Sequence, residues 1–325
     1  MQAKNTKFIK EIMCLESKKF LFLMIFCSKV LTGINYIDDN NNDYMFLTRR
    51  VIQEYCNLNF STWVDPWKQC EEDEVSSFKP DAVLTGSIVF VRTFCLTQFF
   101  TKVHRFIKNP YILVTHIDDH DIPSGYKNYL KDPKIIAWFS INALMQGCAK
   151  LIPIPIGVNQ DRSIYKNQKE INNIFYKMRN HQEKKALLYM NFSVKGKTGT
   201  VYKERMELHE LFKEKCFCTV GEMQPFTEYL EEMARHKFAL CPRGAGQDTY
   251  RTWEALLVGT IPIVLRSNLN SLYAGLPVLI VDSWSMITEE FLEAKYNELT
   301  NKKYSIKKLY SKYWLKKIIK KAKSL

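Results

Sequence analysis

From residue 186 onward, short apolar runs alternate with helix-length amphipathic segments, and this alternation constrains the fold more than any other feature of the chain. ALLYMN (186–191), CFCTV (216–220), FALC (238–241), IPIV (261–264) and PVLIV (277–281) have the length of buried strands. Helical spacing fills 201–215, 225–236, 249–258 and 288–299. Met206, Leu208, Leu211 and Phe212 give the first of these helices its apolar face, and Pro225 suits the first turn of the second. Strands alternating with helices in this way pack as a parallel sheet covered on both faces. The first half shows a looser version. Strands are expected at 82–91, 111–115 and 134–139 and an extended segment at 151–156, with helices at 96–107 and 142–148. Residues 158–184 are polar and charged, with room for one helix, and join the halves. Two α/β halves imply a cleft between them, with ligands beyond the carboxyl ends of the strands.

Composition permits two packed domains, since the chain has 325 residues and is 46% hydrophobic. Its net charge of +13 suggests a nucleic-acid partner until it is mapped: residues 301–325 hold ten lysines and no acidic residue. No basic stripe continues elsewhere, so nucleic acid is not expected as a partner. Ile306, Leu309, Tyr310, Tyr313, Trp314, Ile318 and Ala322 recur among those lysines at helical spacing. One reading docks this stripe on the body; another lays a basic amphipathic helix on an anionic membrane. At the other end, Lys4, Lys7, Lys10, Lys18 and Lys19 precede FLFLMIFC (20–27), which is too short to span a bilayer. It fits a signal or anchor segment as well as a buried element. A targeting role would make the chain membrane-associated or secretory; otherwise it is cytoplasmic. Nine cysteines show no zinc spacing, and no GxSxG, HExxH or P-loop is present.

The stretch CPRGAGQDTYRTWEALLVGTIPIV (241–264) carries the chemistry. A strand ends at Cys241, and Gly244 and Gly246 let the backbone turn and approach a ligand. Asp248 or Thr249 can cap the helix that follows. Its N-terminus suits a phosphate. Arg251 and Glu254, three apart, share a face, as do Asp248 and Arg251. A guanidinium at a helix N-terminus opposes the dipole unless an anion or Asp248 sits beside it. A glutamate one turn deeper can accept hydrogen bonds from a ribose diol. The set matches a sugar nucleotide, whereas a surface Arg251–Glu254 pair on an ordinary βαβ unit is the plainer alternative.

FALCPRGAGQDTYRTWEALLVGTIPIV (238–264) resembles the signature of exostosin-like glycosyltransferases of the GT-B type. Softer echoes lie in VTHIDDHDIP (114–123), KIIAWFSIN (134–142), LIPIPIGV (151–158) and LLYMNFSVKGKT (187–198), so the resemblance spans roughly 110–315. It implies an α/β GT-B fold, two Rossmann-like domains facing a central cleft. It also implies inverting transfer from a nucleoside-diphosphate sugar, most simply a UDP-sugar, to a glycan or glycoconjugate acceptor, with no cofactor required. By position, Gly244, Gly246, Asp248 and Thr249 would meet the pyrophosphate, Arg251 the leaving diphosphate, and Glu254 the ribose. Arg243 is a second candidate cation; Asn191, Ser193 and Lys195, after a strand end, are further donor contacts. Trp253 and Leu256 read as core.

Asp118 and Asp119 follow the 111–115 strand in HIDDHDIP, and three readings stand: a metal site on Asp119–His120–Asp121, a general base on Asp118 or Asp119, or a polar turn. The GT-B resemblance lowers the first, and no metal site is expected. His104, His116 and Trp138 read as structural, while Phe139 and Asn142 are candidates for the cleft. The expected organisation is a signal or anchor segment at 1–30, an acceptor-side domain at 31–165, a nucleotide-sugar domain at 166–300 and a basic helix at 301–325. Rival functions are a fucosyltransferase-like GT-B enzyme, a sugar-nucleotide or glycan-binding module without transfer activity, and a membrane scaffold. The fucosyltransferase signature places lysine after the glutamate, where this chain has Ala255.

Overall fold

The computed structural model describes residues 35–37, 45–60, 72–159, 167–194 and 200–324. The 20–27 run with its lysines, and Lys195, lie outside these residues. A short strand β1 (Asn35–Ile37) pairs far along the chain with β12 (Lys303–Ser305). The first five-stranded sheet contains β2 (Leu58–Asn59), β3 (Ile88–Arg92), β4 (Tyr111–His116), β5 (Ile135–Ser140) and β6 (Leu151–Pro153), adjacent in chain order. The second contains β7 (Ala186–Met190), β8 (Cys218–Val220), β9 (His236–Leu240), β10 (Ile261–Leu265) and β11 (Leu279–Val281), in the order β11-β10-β9-β7-β8. All pairings in both sheets are parallel. The chain is therefore α/β with two parallel sheets, as its alternation requires.

Side-chain alternation sorts the cores. On the first sheet, Phe90, Ile112, Val114 and Phe139 face inward, while Val89, Val91, Leu113 and Trp138 face an outer core with Phe60 and Phe99. On the second, Tyr189 and Ala239 join the inner core, while Leu188, Met190, Phe238 and Leu240 pack outward on Leu208 and Phe212. The inner core is continuous through both halves, so the cleft stands on a packed apolar base.

Two expected helices change form. Residues 96–107 run as α, π and 3-10 turns in succession, and the widened π turn brings Phe99, Phe100 and Val103 all into the interior. Residues 142–148 form turns, not a helix. Asn142 and Gly147 have left-handed φ of 48° and 72°, and backbone groups at 142 and 144 pair with Ile122 instead. The linker does carry a helix, Gln168–His181.

The basic terminus folds back. Helix Ser311–Ala322 packs on helix Arg49–Tyr55 and on β4 and β5, burying Trp314 and Ile318. Lys312, Lys316, Lys317, Lys320 and Lys321 remain exposed. The apolar stripe thus packs on the body, as the docking reading expects. Among the described residues, no helix is long and apolar enough to cross a membrane.

Candidate active site

In the second sheet β7 lies between β8 and β9, so successive connections leave to opposite sides of it. Such a switch point opens a crevice beyond the carboxyl ends of the two strands. Asn191 follows β7 there, and Cys241 follows β9. The crevice is a cavity of about 430 Å³. One wall is Asn191, Phe192 and Ser193; a second is Gly244, Ala245, Thr249 and Tyr250; a third is Glu222, Met223 and Gln224 after β8. Asp119, Ile156 and Asn159 close it from the first half.

Helix Tyr250–Leu257 begins at the cavity, with Thr249 at its N-cap position and no side-chain cap. The Thr249 hydroxyl faces that of Thr252 at 3.3 Å, so it does not cap as expected. Arg251 donates its Nε–H to the Asn191 carbonyl at 2.9 Å, with its guanidinium 5.6 Å from the Phe192 ring centre. Glu254, nearly buried, accepts from the Tyr229 hydroxyl at 3.2 Å. Arg205, on helix Thr200–Phe212, also lines the cavity and donates its Nε–H to the Arg243 carbonyl at 2.9 Å. Its guanidinium is pushed below the usual arginine range by burial and then by the charge of Arg251. Two mutually repelling cations thus share one cavity wall, and among the described residues neither is in an ion pair.

Other motif residues turn elsewhere. Asp248 borders the cavity, but its carboxylate is buried. Its oxygens accept from Ile156 N (2.7 Å), Thr249 N (3.0 Å) and Trp253 Nε1 (2.9 and 3.0 Å). Burial pushes its pKa up to about 6. The expected Asp248–Arg251 pairing is therefore absent, because the carboxylate faces the core. Gly246 lies against the first half: a Cβ there would come 2.5 Å from Asn142 Nδ2. That close approach to Asn142 by itself requires glycine at 246. Arg243 forms a two-pronged pair with Glu204 (2.8 and 2.7 Å) on the surface, outside the cavity lining.

Beyond β4 the chain bends sharply at Ile117, whose φ of 86° is an unusual left-handed value for a β-branched residue. His116 Nδ1 accepts the Ile117 N–H at 2.9 Å and holds the bend. It delivers Asp118 and Asp119 to a second cavity of about 390 Å³, which shares Asp119, Ile156, Asn159 and Tyr250 with the first. Burial, then the Asp118 charge, raises the Asp119 pKa, while His120 and the Gly246 N–H pull it down. Asp118 Oδ1 accepts from Asp119 N at 2.7 Å and His120 Nδ1 at 2.5 Å. Trp138 and Phe139 are wholly buried, and His104 is satisfied by Tyr111 and Asp132. Among the described residues, no three His, Cys, Asp or Glu side chains gather as a metal site.

The structure therefore gathers Asp119, Asn191, Ser193, Gly244, Asp248, Thr249, Arg251 and Glu254 from the expected set. It adds Arg205, Phe192, Tyr229 and Tyr250. Arg205 carried no signal of its own in the sequence, since a lone arginine within a charged helix reads as solvated. Fold and site together define an α/β protein whose two parallel sheets meet at a cleft that contains two guanidiniums, Arg205 and Arg251. No family model matches the sequence, and no curated protein matches it. Among solved structures, the chain is similar to a UDP-forming α,α-trehalose-phosphate synthase from Burkholderia xenovorans, at 9% identity and a TM-score of 0.41, covering 77% of this chain and 75% of that one. It is also similar to an α-glucosyltransferase in complex with UDP and a 13-mer DNA (12%, TM-score 0.32, 72% and 74%) and to the pneumococcal O-GlcNAc transferase in complex with UDP and GlcNAc (11%, TM-score 0.32, 73% and 54%). These scores lie below 0.5, and the functional reading rests on the site.

Proposed function

We propose that the chain is an exostosin-like GT-B glycosyltransferase that moves a sugar from a nucleoside-diphosphate sugar, most simply a UDP-sugar, to a glycan or glycoconjugate hydroxyl. The observation that carries this reading is the pairing of Arg205 and Arg251 beside an uncapped helix N-terminus at the sheet switch point. Two repelling, partly desolvated guanidiniums are stabilised by a dianion, and a diphosphate supplies one. Gly244 would let the same phosphates approach the turn closely and the Thr249 hydroxyl would face them, with Asn191 and Ser193 opposite. Glu254 would take the ribose hydroxyls. Lys195 remains a candidate phosphate contact.

In the reaction the anomeric carbon sits between the two cavities. The acceptor oxygen attacks from the first-half side, where Asp118 and Asp119 stand, and the diphosphate departs toward Arg205 and Arg251, giving inversion. Neutralising the leaving group is the main electrostatic demand of such a step, and the arginines meet it. The domains would divide at 165, the first holding acceptor and the second donor. The lysines of the terminal helix would attract an anionic membrane by charge alone, since its apolar face is buried.

The test is a thermal-shift panel of UDP, GDP, CDP and their sugars on the full chain, with Arg251→Ala beside it. Stabilisation by at least one diphosphate, lost in the variant, supports the reading; no shift with any member contradicts it.

A further inference from the structure

The loop beyond β4 contains a histidine–carboxylate pair at the mouth of the second cavity. Asp118 Oδ1 lies 2.5 Å from His120 Nδ1. A carboxylate only accepts, so in the neutral ring the proton sits on Nδ1 and Nε2 is left as the acceptor. The His120 side chain is 66% exposed and that of Asp118 only 17%. Among the described residues, Asp118 is the hydrogen-bond partner of His120, and it engages Nδ1 alone. Asp118 Oδ1 is engaged by two N–H donors, those of Asp119 and His120, which fixes the carboxylate against the ring.

We propose that His120 is the general base of the transfer reaction and that Asp118 is its positioning residue. This rests on the sugar-transfer reading above. Nε2 takes the proton of the acceptor hydroxyl. The oxygen forms its bond to the anomeric carbon as the bond from that carbon to the diphosphate oxygen breaks, and the electron pair leaves with the nucleoside diphosphate. The imidazolium that forms is cationic, and its surroundings suit it. Asp118 is in contact, and the charges of Asp119 and Asp121 act on the same ring. Facing them are Arg49, from helix Arg49–Tyr55, with the neutral His116 in the same cavity wall. Arg243 acts on Asp121 from the turn after β9. Phe94, about half exposed, has its ring centre 6.2 Å from that of His120 in the same cavity. An aromatic face beside a base fits an acceptor with an apolar C–H face and a vicinal hydroxyl, which is a pyranose ring.

His120→Gln tests this, because glutamine can still donate to Asp118 but takes no proton. Two readouts are needed on the full chain: UDP affinity by calorimetry, and UDP release from UDP-glucose, UDP-galactose and UDP-N-acetylglucosamine with lactose, cellobiose or chitobiose as acceptor. The proposal expects UDP affinity unchanged within about twofold. Turnover should fall about 100-fold, and the acidic limb of its pH profile should vanish. Asp118→Asn should shift that limb to lower pH. His120→Gln turning over within about threefold of wild type overturns the base while leaving sugar transfer standing. A wild-type chain that binds none of UDP, GDP and CDP removes both. Where no donor and acceptor pair turns over, the ring nitrogen NMR shifts of neutral His120 decide: the Nδ1–H tautomer supports the pair, and the Nε2–H tautomer overturns it.

Discussion

Asn142 and Asp248 hold each other across the cleft: the side-chain oxygen of Asn142 accepts the backbone N–H of Asp248 at 3.0 Å, 106 residues along the chain. Asp248 answers by accepting the Ile156 N–H at 2.7 Å, so two contacts tie the turn after β9 to the end of the first sheet. The clasp sets where the Arg251 helix begins relative to the Asp118–Asp119 loop.

Gly246 depends on that clasp. A Cβ at 246 meets Asn142, which is fully buried and left-handed, so it has little room to yield. Gly246→Ala is expected to cost about 1–3 kcal/mol in chemical denaturation. In an Asn142→Ala background the increment should shrink, because the wall is gone. Equal costs in both backgrounds would show that the glycine serves something else.

Asp248 gives the clasp a pH dependence. Its folded pKa of about 6 lies above the ordinary 3.8, so the folded state keeps a proton that the unfolded chain has lost. The contribution to stability is full below about pH 4, falls as pH rises toward 6 and is level above, a change of about 3 kcal/mol. Denaturation at pH 4.5 and pH 7 should show a component of this sign in wild type that Asp248→Asn lacks. Identical pH slopes in the two proteins would contradict the assignment.

Glu254 is assigned to the ribose. Glu254→Gln should weaken UDP binding about 10- to 100-fold, the loss of a charge-assisted hydrogen bond. The variant should also discriminate less between UDP and 2′-deoxy-UDP. Undiminished discrimination would move the ribose elsewhere.

The terminal helix separates packing from charge. Trp314, buried with its Nε1 donating to the Lys308 carbonyl at 2.8 Å, should cost about 3–5 kcal/mol as Trp314→Ala. Lys316→Gln and Lys320→Gln should each stay within about 0.5 kcal/mol of wild type. Large effects from the lysines would mean that the exposed face is not solvated.

Much of this was legible in the residues. The runs at 186–191, 238–241 and 261–264 became β7, β9 and β10 because apolar stretches of that length between helices have few other ways to be buried. The turn after Cys241, with Arg251 and Glu254 beyond it, reached the cavity because a strand–turn–helix unit fixes its own geometry. What escaped depended on contacts distant in sequence. Gly246 and Asp248 read as ligand residues from the motif, but their contacts with Asn142 and Ile156 lie far along the chain and no local pattern reveals them. Arg205 joins the site only because its helix packs beside the turn. The helix expected at 142–148 failed because Ile122 pairs with that backbone, a partner no local pattern reveals.

The central claim is that Arg205 and Arg251 seat a diphosphate. Calorimetric binding of UDP and UMP to wild type, Arg205→Ala and Arg251→Ala tests it directly. The account predicts that wild type prefers UDP over UMP, and that each alanine weakens UDP about 10- to 100-fold while changing UMP far less. Wild type binding UDP and UMP equally, or UDP affinity surviving both substitutions, would contradict it.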